Sequence, residues 1–267
     1  MPSLLFRAIS PAGASAKLSI FIFHRVLPVA DPLLPFEPSA EEFAWMARLI
    51  AGNFHVLSLG EAVRRRQAGT LPAAAAVITF DDGYADNFEV AWPILAAHGL
   101  PATFFIATAF LDGGRMWNDE VIEAFRKVSP GELDLRQFDL GSHALSDTAS
   151  RIRGYEAVLG KLKYFEHHQR AAVAREIGRQ AAVPEHSELM MSRGQLRKLR
   201  AAGAEIGAHT HTHPILEGLP DEQAFAEIAA GKLEVEAILG ETVSVFAYPN
   251  GVPGRDCSAR HGKMVEK

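Results

Sequence analysis

Apolar and polar positions along this chain follow two alternating rhythms. Short runs dense in β-branched and aromatic residues, at 20–23, 75–80, 102–107, 204–209 and 243–248, read as buried strands. Helical patterns lie between them, over 39–52, 86–98, 192–202 and 221–239. Ser39 is placed to cap the first of these, with Glu41 and Glu42 in its opening turn. The second tolerates Pro93 and stops at Gly99-Leu100-Pro101. Such alternation builds a parallel sheet or barrel from βα units. After Gly113-Gly114 the rhythm changes. Residues 118–128 look helical, 130–140 suggest a short strand or hairpin, and 155–182 read as helices. We expect one domain over 1–267 with a helical insertion at about 130–184.

Composition narrows the classes without naming a function. At 267 residues the chain suits one α/β barrel of roughly 250 residues or two smaller domains. With 48% hydrophobic and 22% charged residues it is not a disordered or disulfide-scaffold sequence. Lys+Arg 27 against Asp+Glu 32 leaves no basic excess, so no nucleic-acid partner is expected. Cys257 is the single cysteine, which forbids an intrachain disulfide. No apolar run approaches the roughly 20 residues of a transmembrane segment. The N-terminal apolar patch at residues 4–6 is too short for an export signal, giving an expected cytoplasmic location.

Two strand ends carry chemistry. In Thr79-Phe80-Asp81-Asp82-Gly83, adjacent carboxylates follow an apolar strand, where they are costly unless something neutralises them. One can ligate a metal while its neighbour acts as base on a water. The plainer alternative is a polar loop whose Asp caps the next helix. The second segment is His209-Thr210-His211-Thr212-His213-Pro214, where Pro214 disfavours α geometry at His213. In a turn, His209 and His213 can converge on one point while His211 faces elsewhere. Two imidazoles and a carboxylate with open positions suit a catalytic metal. Both segments end predicted strands, the face where barrel active sites form.

TFDDG at Thr79 to Gly83 and HTHTHP at His209 to Pro214 resemble the first two motifs of the polysaccharide deacetylases, carbohydrate esterase family 4. FHRV at Phe23 to Val26, TFDDGYADN at Thr79 to Asn87 and GLPATFF at Gly99 to Phe105 strengthen the likeness. The resemblance runs from about Leu18 to the C-terminus and implies an α/β fold, a distorted (β/α) barrel. It implies Asp81 as general base and Asp82, His209 and His213 as ligands of a divalent metal, with Zn²⁺ the expected ion. Phe246 to Pro249 matches the third motif, in which the backbone N–H at Tyr248 holds the oxyanion. The implied reaction removes an N-acetyl group from an amino-sugar-containing glycan, with Asp81 taking a proton from the attacking water.

Two departures stand out. Phe246 occupies the position of the arginine that orients the base, for which Arg25 is a candidate substitute. His24 beside it either faces the site as a substrate contact or forms a buried structural pair with Arg25. The sequence also stops before the family's aspartate-tryptophan motif and final histidine, the general acid, so the barrel is expected to be incomplete at the C-terminus. His261 is not a substitute for that acid. Trp117 reads as a core anchor before a groove residue, and Cys257 as an unreactive thiol. His55, His98, His143, His167, His168 and His186 read as surface residues. Beside the deacetylase expectation stand a catalytically impaired, metal-containing carbohydrate-binding protein and a metal-dependent amidase acting on small amides.

Overall fold

The computed structural model describes residues 4–266. In chain order its strands are β1 (Leu18–Phe23), β2 (His55–Val56), β3 (Ala75–Phe80), β4 (Thr103–Ile106), β5 (Gly131–Asp134), β6 (Ser142–Leu145) and β7 (Glu205–Ala208). Its α-helices are α1 (Leu4–Ile9), α2 (Ala40–Asn53), α3 (Leu59–Gln67), α4 (Trp92–Ala97), α5 (Trp117–Lys127), α6 (Thr148–Leu162), α7 (His167–Gln180), α8 (Arg193–Ala201), α9 (Asp221–Leu239) and α10 (Ala259–Val265). The chain divides into two compact units, one of residues up to 30, 36–112 and from 189 onward, the other of 31–35 and 113–188.

The larger unit is an α/β fold on a parallel sheet in the order β1-β3-β4-β7. Strand β3, AAVITF, is buried at every position, as a central parallel strand requires. It pairs along its whole length with β1, from Leu18↔Ala75 to Phe23↔Phe80. Its other edge is shared: β2 takes the start, at Ala75 and Ala76, and β4 the end, at Thr79 and Phe80. Strands β4 and β7 run in register from Thr103↔Glu205 to Ile106↔Ala208. All five run parallel, and β1, β3, β4 and β7 carry their C-terminal ends to the same end of the sheet.

Helices α2 and α8 begin where side chains take up free backbone N–H groups. Ser39 forms a capping box with Glu42 at α2, and Ser192 forms one with Gln195 at α8. Glu205 at the start of β7 accepts from Thr103 Oγ1 at 2.6 Å and from the Gly60 N–H at 3.1 Å, tying the first turn of α3 to the sheet. The core beneath the site is aromatic. Phe80 stacks on Phe104 at 4.9 Å and on Phe23 at 5.4 Å, and meets Phe43 edge-on at 5.8 Å. Phe80→Ala is expected to destabilise the protein by about 3–5 kcal/mol, read from its urea unfolding midpoint.

Two elements of the larger unit differ from the sequence expectation. Residues 86–98 begin as a π-helical stretch, Asn87–Ala91, before α4 starts. Pro93 lacks the N–H that an uninterrupted α-helix would use there. Residues 243–248 form no strand. Only Phe246 bridges Ala208, through Ala208 N–H to Val245 O and Ala247 N–H to Ala208 O, both 3.1 Å. The segment is short and runs into Pro249, which cannot continue a ladder.

The smaller unit has its own core, with Phe125, Leu135, Leu145, Val158 and Leu162 among its fully buried side chains. Its β5–β6 hairpin is antiparallel, Gly131↔Leu145 to Asp134↔Ser142, and reaches further than the expected 130–140. Trp117 packs against this core, with the Arg170 guanidinium 4.9 Å from its ring centroid.

Candidate active site

The two chemical segments meet where β3 and β7 end. Strand β3 passes directly into Asp81 and Asp82, and the backbone reverses there: Asp82 has φ 76° and Gly83 φ 92°. Gly83 suits that turn, because a side chain would be strained at this φ and its Cβ would lie 3.3 Å from Ile106. The turn is held on three sides. Asp81 N–H donates to Phe23 O at 3.0 Å, Ala107 N–H to Asp82 O at 3.2 Å, and Met191 N–H to Gly83 O at 3.0 Å.

Asp82, His209 and His213 each present one ligand atom, all within 4.8 Å of one another. His209 Nε2 lies 3.4 Å and His213 Nε2 3.2 Å from Asp82 Oδ1. His209 Nδ1 is 2.9 Å from Ala247 O. A carbonyl only accepts, so Nδ1 carries the proton and Nε2 is the nitrogen turned to the carboxylate. Asp82 and His209 are buried and His213 nearly so. Asp82 Oδ1 is enclosed without a hydrogen bond of good geometry. Two imidazole nitrogens and a carboxylate oxygen facing one enclosed point call for positive charge between them. The donor set fits a divalent metal.

The electrostatics agree. Burial pushes the Asp82 carboxyl up, but His213 and His209 outweigh it and hold it far below its ordinary value. Burial lowers His209, yet its bond to Asp82 and the charges of Asp81 and Asp82 leave it raised. Neighbouring Asp81 behaves in the opposite way to Asp82. Burial raises it against the pull of His209, with repulsion from Asp82 adding to the rise. Adjacent carboxylates with oppositely shifted pKa values are the pattern of a ligand beside a base.

A cavity of about 520 Å³ opens onto the cluster, and His24, Asp81, His209, His213, Phe105, Phe246 and Tyr248 line it. His24 is exposed to it and does not form a buried pair with Arg25. Arg25 turns away, binding Asp86 at 2.8 Å and lying 4.8 Å from the Tyr84 ring centroid. Asn87 Nδ2 donates to His24 O at 2.8 Å, so the FHRV and DGYADN segments fix each other. His211 also turns away from the cluster, its Nδ1 meeting Thr108 Oγ1 at 2.9 Å.

Other histidines do not join the cluster. His55, His168 and His186 are exposed, while His98, His143 and His167 are half-buried. His143 bonds Leu140 O and packs edge-on against Phe125, so it is a core-edge residue and not a surface one. His261 is buried and accepts the Ser258 N–H at the start of α10. Cys257 is buried, and burial raises its thiol, as suits an unreactive side chain. No helix among the described residues is long and apolar enough to cross a membrane.

The Bacillus subtilis (strain 168) protein YxkH, whose name assigns it to the polysaccharide deacetylases, is 32% identical over 237 residues. That match covers 88% of this chain and 57% of YxkH, so the chain spans little more than half the length of that relative. Solved structures share the fold. Streptococcus pyogenes deacetylase PplD, determined in complex with acetate, is similar at 18% identity and a TM-score of 0.59, over 94% of this chain and 80% of PplD. IcaB from Ammonifex degensii is similar at 19% identity and a TM-score of 0.58, over 96% of this chain and 81% of IcaB. The family profile described as polysaccharide deacetylase matches residues 68–263, from before β3 to within α10. With both motif turns inside that span, the chain belongs to the polysaccharide deacetylase family.

Proposed function

We propose that this chain is a Zn²⁺-dependent hydrolase that removes N-acetyl groups from an amino-sugar-containing polysaccharide or oligosaccharide. The observation that carries the reading is the convergence of Asp82, His209 and His213 beside Asp81 on one cavity. Lewis acidity, which polarises the acetyl carbonyl and acidifies the attacking water, is what the divalent cation contributes when bound.

The remaining steps belong to the chain's own residues. Asp81 stands on the cavity wall without a share in the ligand set and is raised toward the working range of a base. It takes the proton of the attacking water as the carbonyl carbon becomes tetrahedral. The Tyr248 backbone N–H donates to the developing oxyanion. His24, directly after β1, contacts the sugar from the cavity wall. Phe105 and Phe246 give the acetyl methyl an apolar surface.

Phe246 also favours a second reading. It stands where the family places an arginine, and Arg25 is engaged by Asp86. On that ground the chain is a metal-containing carbohydrate-binding protein with impaired turnover. The two separate in one experiment. The hydrolase releases acetate from N-acetylglucosamine oligomers, and release stops on chelation and returns with Zn²⁺. The binding protein retains the oligomers without releasing acetate. Release only from small non-sugar amides would contradict both.

A further inference from the structure

Helix α9 carries a stripe of residues that the reaction above does not use. Glu227, Gly231 and Glu234 are spaced four and three apart, so they share one face of the helix. Each meets the histidine loop at a different point. Glu227 Oε2 accepts the N–H groups of His211 at 3.1 Å and Thr212 at 2.8 Å, and its Oε1 accepts from Thr212 Oγ1 at 2.6 Å. Gly231 lies against Thr210, where a Cβ would stand 2.4 Å from the Thr210 carbonyl carbon and oxygen. Glu234 Oε2 is 3.3 Å from His211 Nδ1, and its Oε1 binds Arg193.

Local preference alone does not hold the loop they grip. Thr210 and His213 are left-handed, at φ 65° and 56°, a region disfavoured for any residue with a Cβ and most of all for a β-branched one. These reversals turn His213 back so that its Nε2 reaches the same carboxylate oxygen as that of His209. The His213 N–H closes on Thr210 Oγ1 at 3.1 Å, while the two N–H groups between point outward to Glu227. Without the Glu227 side chain, the Thr212 N–H loses its acceptor and the His211 N–H keeps only the Glu227 backbone oxygen, at 3.1 Å, at the position where the loop must not relax.

We propose that Glu227 and Gly231 are positioning residues for the metal ligands: α9 is the mould that sets His209 and His213 at coordinating distance. Glu227 holds the loop outward and Gly231 admits its backbone. The inference rests on the reading of Asp82, His209 and His213 as ligands. It concerns residues that touch neither cation nor substrate, a supporting layer whose loss typically weakens metal affinity.

The test uses the full chain stripped of metal, titrated with Co²⁺ in the visible range and with Zn²⁺ against a competing chelator. Glu227→Ala is expected to weaken Zn²⁺ binding about 10- to 100-fold and to alter the Co²⁺ band. Glu227→Gln stays within about threefold, because its amide oxygen still accepts the N–H groups and its NH₂ can donate to Thr212 Oγ1. Thr212→Val, a milder change should Glu227→Ala not fold, is expected to weaken binding about three- to tenfold by removing one of the three bonds. Hydrogen exchange on the metal-free protein reads the mould separately. The Thr212 amide exchanges about tenfold faster or more in Glu227→Ala, while the His211 amide, which keeps the Glu227 backbone oxygen, changes less and β3 and β4 amides keep their rates. Wild-type affinity and an unchanged Co²⁺ band in both Glu227→Ala and Thr212→Val overturn the proposal. So does unchanged exchange at Thr212. A wild-type chain that binds no metal but shows the exchange difference removes the metal reading and leaves the mould.

Discussion

Asp81→Asn lowers the rate of acetate release by about 10²- to 10⁴-fold and leaves the metal content at the wild-type level. The substitution preserves shape and removes the ability to take a proton, while Asp82, His209 and His213 keep their positions. The Asp81 N–H still donates to Phe23 O, so the turn after β3 is retained. The effect belongs in kcat, with KM nearly unchanged, because the missing interaction is made on the way to the tetrahedral state. Metal analysis and steady-state kinetics on the same preparation check it. Equal rates in wild type and Asp81→Asn assign the base elsewhere.

The second large effect concerns Asp82. Its carboxylate is the one anionic group in the cluster and faces both imidazoles. Asp82→Ala therefore abolishes stoichiometric Zn²⁺ binding and the stabilisation that comes with it. For wild type, Zn²⁺ at about 100 times its dissociation constant adds about 2.7 kcal/mol, seen as a rise in Tm. The variant's Tm does not respond. Without metal, Asp82 also shapes the acid response. Its pKa is depressed in the folded state by His213 and His209 against the opposing effect of burial. The carboxylate therefore contributes stability at pH values above the ordinary Asp value near 3.9, and that contribution fades as pH falls toward the depressed value. Metal-free Asp82→Ala is expected to show a shallower loss of stability on acidification than metal-free wild type.

Much of this site is legible in the sequence for reasons that are local. An apolar run ending in Asp-Asp-Gly and a histidine triplet before proline each declare a strand end. A turn at Pro214 lets His209 and His213 converge with His211 turned away, although the left-handed Thr210 and His213 that bring this about are held from α9. Ser39 and Ser192 cap their helices because the boxes are short-range. Elements held by distant partners were harder to read. Helix α3 has a local cap, Ser58 accepting the Glu61 N–H, but its first turn is also tied to Glu205, which lies 145 residues away. Strand β2 is two residues long and exists only as a partner to the start of β3. The expected strand at 243–248 is apolar enough for a strand but has only the Ala208 bridge to make.

The same division applies within the site. Asp81 and Asp82 are adjacent in sequence, yet opposite burial and charge balances separate them, and no pattern of residue types shows that. Arg25 had a plausible place beside the base, but Asp86, four residues after Asp82, takes its guanidinium. Glu227 and Gly231 look like ordinary positions of a long helix. Their spacing hints at a shared face, but only the packing of α9 on the loop shows what that face holds.

The proposed hydrolysis of an N-acetyl sugar at this cavity requires one divalent cation at Asp82, His209 and His213. Titration of the metal-free chain with Zn²⁺, following acetate released from N-acetylglucosamine oligomers, tests it most directly. Release should rise in proportion to added Zn²⁺ and level off at one equivalent per chain. Full release from the metal-free chain, or a rise that continues well past one equivalent, would contradict it.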